Sequence, residues 1–164
     1  MRRLATACMI LGICPGFAWA GAPTTVDAFN DALANATRHM DNLEAVALWE
    51  DDGVSLLPST KPIVGKTAIA RFMQQVTAQM PDGHMKKFEM NCFDVEVSGD
   101  WASEWCQEHQ IVWFSAGKPP FEGWGKMLLV LHRGADGGWR LKREMWNQAL
   151  PQPQPHAGTG LNSG

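Results

Sequence analysis

Two residue sets in this 164-residue chain have the types and spacing to do chemistry. The first is Glu89 with His109. Lys86 to Ser98 and Trp101 to Ser115 alternate as two strands around Gly99-Asp100, with Trp101, Trp105, His109, Ile111 and Trp113 on one face. Same-face pairing across a three-residue loop, Ser98 to Asp100, sets Glu89 opposite His109. A carboxylate beside an imidazole fixes its tautomer and raises its pKa, which makes a general base or a proton relay. The same two residues also read as an ordinary cross-strand pair near a strand end. The second set is Arg143 and Asn147, on a strand where Trp139, Leu141, Arg143, Met145 and Asn147 alternate inward. An inward Arg143 must be paired with a buried acid or must face a ligand anion. Asn147 either donates to a ligand carbonyl or closes the strand end.

Seven tryptophans follow residue 20, and tyrosine is absent. Trp105, Trp113 and Trp124 on a concave face would line a pocket suited to a small apolar or aromatic ligand. Gly123 and Gly125 fit either a sheet bend or space left for that ligand. Both faces of Phe121 to Arg133 are apolar, so the directions of Lys126 and His132 stay open.

Cys92 falls directly opposite Cys106 in the same register. Cross-strand Cβ atoms stand roughly 4.5–5.5 Å apart, close enough for a bridge. The expectation is a disulfide on the outer face, beside Asp94, Glu96, Glu104 and Glu108; two free thiols are the alternative. No metal or other cofactor is expected: CxxC and HxxxH are missing, and the histidines are scattered. Asp51 and Asp52, before Gly53, read as turn residues.

These residues need elements to hold them. Thr24 or Thr25 caps a helix to about Arg38, and Asp41 with Glu44 forms a capping box for a helix from Asn42 to Trp49. Asp51-Asp52-Gly53 breaks that helix, Val54 to Leu57 forms a short strand, and Thr67 caps a third helix from Ala68 to Gln79. The last two strands flank a Gly134-Ala135-Asp136-Gly137-Gly138 turn. Residues 1–20 read as a cleaved secretory signal: Arg2 and Arg3, an apolar run, then Ala18-Trp19-Ala20. The domain is placed at 21–150 and a Pro/Gly-rich disordered tail at 151–164. Export to the periplasm or outside the cell follows, without membrane insertion. A net charge of −3 argues against nucleic acid as partner.

The stretches DNLEAVALWEDDGVSLLP, PIVGKTAIARFM, VEVSGDWASEW and GKMLLVLHRGADGGWRLKREMWN stand in an order that resembles the NTF2-like (cystatin-like cone) superfamily, and within it the SnoaL-like/DUF4440 group. The resemblance implies an α+β cone, three N-terminal helices on a strongly curved mixed or antiparallel sheet, and commonly a homodimer. It implies no single function. The phenol used by ketosteroid isomerases and scytalone dehydratases has no counterpart in a chain without tyrosine, and the Asp-Arg-Asp set of epoxide hydrolases is not found. Three readings follow. The cone binds a small apolar or aromatic ligand through Trp105, Trp113, Trp124, Arg143 and Asn147. Or it is a lyase, isomerase or cyclase with His109 as base and Glu89 orienting it. Or it serves only as a dimerisation or partner-docking module.

Overall fold

The computed structural model describes residues 21–115 and 118–151. The expected leader, and the tail beyond Pro151, lie outside them. Helix α1 spans Val26–Arg38; Thr25 Oγ1 accepts from the Ala28 amide at 3.0 Å, and Asp27 and Arg38 sit at the ends where their charges suit the helix dipole. Val26, Phe29 and Ala36 are its buried residues. Helix α2 spans Asn42–Ala47, capped by Asp41 Oδ1, which accepts from Leu43 and Glu44 at 2.9 and 3.0 Å. The Asp41 amide donates to Ala36 O, so Glu44 does not complete a capping box.

Strand β1 begins at Trp49 and runs to Leu56, carrying Asp51-Asp52-Gly53 inside it. A helix to Trp49 and a turn after it were expected. Tertiary pairing wins instead, because Trp49 stands beside Leu141 in a parallel ladder and the chain bulges before Val54. Gly53 permits this: a Cβ there would lie 2.6 Å from the Trp49 ring. Ile63–Val64 adds a short edge strand, β2. Helix α3, Lys66–Ala78, starts from Gly65 at φ 89 with no side-chain cap, so Thr67 is already helical.

Strands β3 (His84–Ser98), β4 (Trp101–Trp113), β5 (Phe121–Arg133) and β6 (Trp139–Gln148) complete a mixed six-stranded sheet ordered β2-β1-β6-β5-β4-β3. The β3–β4 turn has two residues, Gly99 and Asp100, not three. Asp94, at φ 54, then forms a bulge that shifts the pairing by one, so Cys92 still meets Cys106. The expected register is reached by a different route.

The core lies on one face of the sheet, under the helices. Phe29, Leu129, Leu131 and Leu141 are at most 1% exposed, and each such side chain contributes roughly 1.5–3 kcal/mol on burial. On β4 this inner face carries Ala102, Glu104, Cys106 and Val112, all buried, while Trp101, Trp105 and Trp113 are exposed on the other. The expected assignment of faces is therefore reversed. On β4 the tryptophans mark the face away from the core. A second correction comes from β6. Leu131 pairs with Leu141 but Val130 pairs with Arg143, leaving Lys142 as an extra residue. Trp139 and Leu141 point inward, and beyond the bulge Glu144 and Trp146 do, sending Arg143, Met145 and Asn147 outward.

Candidate functional site

The inner face of β4 presents Glu104 and Glu108 on either side of Cys106, and β6 adds Glu144 from two strands away. Cross-strand pairing places Glu104, Leu129 and Glu144 in one row, and Cys106, Met127 and Trp146 in the next. Glu108 stands opposite Gly125 in the row beyond. The Trp146 indole nitrogen donates to Glu108 Oε1 at 2.8 Å. This bond exists because Gly125 is bare: a Cβ there would lie 2.4 Å from Trp146 Nε1 and 2.7 Å from Glu108 Oε1. Gly125 thus clears space for a side-chain contact.

Glu144 accepts from the buried Ser55 hydroxyl at 2.7 Å, across the parallel β1–β6 pair. Burial pushes the carboxyls of Glu108 and Glu144 above the ordinary glutamate range, and the Glu108 charge raises Glu144 further. Among the described residues neither has a cationic partner in an ion pair. A carboxyl raised in this way can hold a proton as a general acid or, once ionised, act as a poorly solvated base. Glu104, 1% exposed, is also raised by burial, although it accepts from Asn30 Nδ2 at 2.9 Å.

The residues singled out from the sequence stand elsewhere. His109 and Glu89 do face each other across β3 and β4, on the outer face. Yet His109 Nε2 shares its hydrogen bond with Glu122 Oε1 at 2.8 Å and its ring stacks on Trp124 at 4.6 Å, while Glu89 pairs with Lys87 at 3.0 Å. Trp105 and Trp113 are exposed there, Trp124 is half-buried there, and Arg143 lies over the Trp101 ring at 5.9 Å. Asn147 pairs with Lys126, both outward. His132, also outward, contacts Glu50 Oε1 at 2.6 Å and lies tilted against the Trp101 ring. None of these residues lines the inner face.

The Cys92–Cys106 pair is disulfide-bonded, and it lies on the inner face, since Cys106 is 1% exposed. This corrects the expected outer placement. The cysteines themselves are the overlooked signal, because cysteine is among the most consistently buried residue types. Glu104 and Glu108 share their face and so belong inside with them.

Residues 24–144 match a family model described as SnoaL-like domain. Among solved structures, the chain is similar to a ketosteroid isomerase-like protein from Erwinia carotovora atroseptica at 22% identity, covering 77% of this chain and 95% of that one, with a TM-score of 0.66. A dehydratase candidate of the NTF2-like family from Streptomyces avermitilis is 20% identical over 77% and 94% of the two chains, with a TM-score of 0.60. A domain with a cystatin-like fold from Nostoc punctiforme is 16% identical over 76% and 75%, with a TM-score of 0.59. No curated protein matches. At these identities the structures speak for the fold alone.

Proposed function

The chain belongs to the SnoaL-like family, and from that premise we propose that its interior binds a small, uncharged carbonyl compound and transfers protons on it through Glu108 and Glu144. The observation that carries this reading is the pair itself: two inner-face carboxyls, each held by one neutral donor and each raised toward protonation. One carboxyl takes a proton from carbon while its partner donates to the developing oxyanion, the division of labour that isomerases, lyases and cyclases share. A neutral ligand suits an interior whose carboxyls burial raises toward protonation. The neighbours described as isomerase-like and as a dehydratase candidate fit this class. His109 lies on the opposite face, so the base moves from the imidazole to the carboxyls.

The reading keeps export and a cleaved leader at residues 1–20. The disulfide suits an oxidising compartment, and among the described residues no helix is long and apolar enough to cross a membrane. It also makes the outer face a homodimer surface. Phe93, Trp105, Leu128, Met145 and Leu56 lie side by side across five strands, and all but Leu128 are exposed.

The test is deuterium exchange at the α-carbons of a panel of small cyclic ketones, followed by NMR. Wild type should accelerate exchange for at least one ketone, and Glu108→Gln should lose about 10²–10⁴-fold of that rate. Ligand-observed binding without exchange would make the protein a binder without turnover. Neither binding nor exchange would leave the docking-module reading.

A further inference from the structure

In the same row as Glu144, and two rows from Glu108, two buried oxygens lack a hydrogen-bond partner, Asn30 Oδ1 and Glu104 Oε1. Asn30 and Glu104 hold each other by a single bond, Nδ2 to Oε2 at 2.9 Å, which leaves the carboxamide oxygen of Asn30 and the other carboxyl oxygen of Glu104 idle in the core. Buried polar atoms of this kind are rare and call for an explanation. Beside them lies the disulfide: the sulfurs of Cys92 and Cys106 and a Glu104 carboxylate oxygen all fall within 4.8 Å of one another. Two sulfurs, a carboxylate and a carboxamide oxygen make a donor set that suits a borderline-soft, four-coordinate cation. There is also an entry path. A groove of about 320 Å³ is lined by Asn30, Phe88, Met90 and Cys92, with Arg38 and Glu89 among its polar residues.

We infer that reduction of the Cys92–Cys106 disulfide uncovers a Zn²⁺ site built from both cysteines and Glu104, with Asn30 as the fourth donor. The reductant is a dithiol. Its thiolate attacks Cys92 Sγ, the half-buried sulfur that lines the groove, rather than the sulfur of Cys106, which is 1% exposed. The S–S bond breaks, Cys106 leaves as a thiolate, and a mixed disulfide forms on Cys92. The second thiol of the reductant resolves it and departs as a cyclic disulfide, so two electrons pass to the cystine. Zn²⁺ then binds the two sulfurs as thiolates, and their protons go to bulk water. A sulfur–zinc–sulfur link replaces the covalent one between β3 and β4, so the two strands stay joined in both redox states. The metal also engages the idle oxygen of Glu104.

The experiment uses the full chain, untagged, with Cys8→Ser and Cys14→Ser so that the pair supplies its only thiols. After reduction with a phosphine in the absence of oxygen, the chain is titrated with Co²⁺ and then Zn²⁺, with circular dichroism reporting the fold. The reduced chain should bind one Co²⁺, with thiolate-to-cobalt charge-transfer absorption and the intense visible bands of a tetrahedral ion, and Zn²⁺ should displace it. The oxidised chain should show neither band. Glu104→Gln should weaken Zn²⁺ binding by about tenfold or more while keeping the charge-transfer band. A folded reduced chain without that band overturns the proposal, as does unchanged affinity in Glu104→Gln. So does a reduced chain that unfolds and is not refolded by Zn²⁺.

Discussion

The indole N–H of Trp146 reaches Glu108 Oε1 at 2.8 Å by passing over the bare α-carbon of Gly125. A tryptophan and a glutamate on strands that do not touch are thereby joined across the strand between them. Gly125→Ala should force them apart, since the added methyl would overlap both side chains. Overpacking of this kind costs about 1–3 kcal/mol. Urea unfolding should show a lower midpoint, with a shift in the tryptophan emission of the native state.

The pH dependence of stability has a definite sign. Glu104, Glu108 and Glu144 are raised above the glutamate value of 4.5, so what they contribute is fully present below that value and is lost as pH rises through their folded pKa. Glu50, Asp52, Asp82 and Asp136 are lowered, so their contribution is present above the ordinary carboxylate range and is lost as pH falls through the folded values. Stability should therefore peak in mildly acidic solution. Glu108→Gln removes one raised group and should stabilise the protein at neutral and alkaline pH, with the difference shrinking on acidification. Thermal melts of both proteins across pH check this; an advantage for Glu108→Gln that grew in acid would contradict it.

Association through the outer face predicts a dimer in sedimentation velocity. Trp105 is 48% exposed and stands between Phe93 and Leu128 in its row. Trp105→Glu should give a monomer with an unchanged far-ultraviolet spectrum. A wild-type monomer, or a Trp105→Glu dimer, would remove that face as the contact.

Asp94 occupies the left-handed region at φ 54. Asp94→Val should cost about 1–2 kcal/mol, because a β-branched side chain is strained there. Asp94→Gly should match or exceed wild type. Chemical denaturation of the two variants, disulfide intact, separates strain at the bulge from loss of a surface charge.

Local chemistry made much of the fold legible. The caps at Thr25 and Asp41, the turn from Gly134 to Gly138 and the two C-terminal hairpins all follow from residue type and period. Which face of the sheet lies inside did not follow, because aromatic bulk at Trp101, Trp105 and Trp113 mimics a core. The inner face of β4 instead carries Ala102, Glu104, Cys106 and Val112, a row with no aromatic side chain in it. Nor could the position of Glu144 be read. Alternation from Trp139 puts Arg143 inside, and only the extra residue at Lys142 exchanges them. That bulge is held by long-range contacts, Lys142 Nζ to Glu50 at 2.9 Å and to Asp52 at 2.5 Å, which no local pattern announces.

The place of β6 in the sheet sets a timetable. Among the described residues it is the last strand in sequence, yet it sits between β1 and β5 and joins the β1–β2 edge to the three strands β3 to β5 within the sheet. A chain still emerging from the ribosome has its sheet in two separate pieces and no Glu144 or Trp146. The parallel β1–β6 ladder spans most of the chain, and pairings so distant in sequence form slowly. Completion of the sheet and assembly of the carboxyl pair are thus one event, and a chain cut short before its final strand has neither.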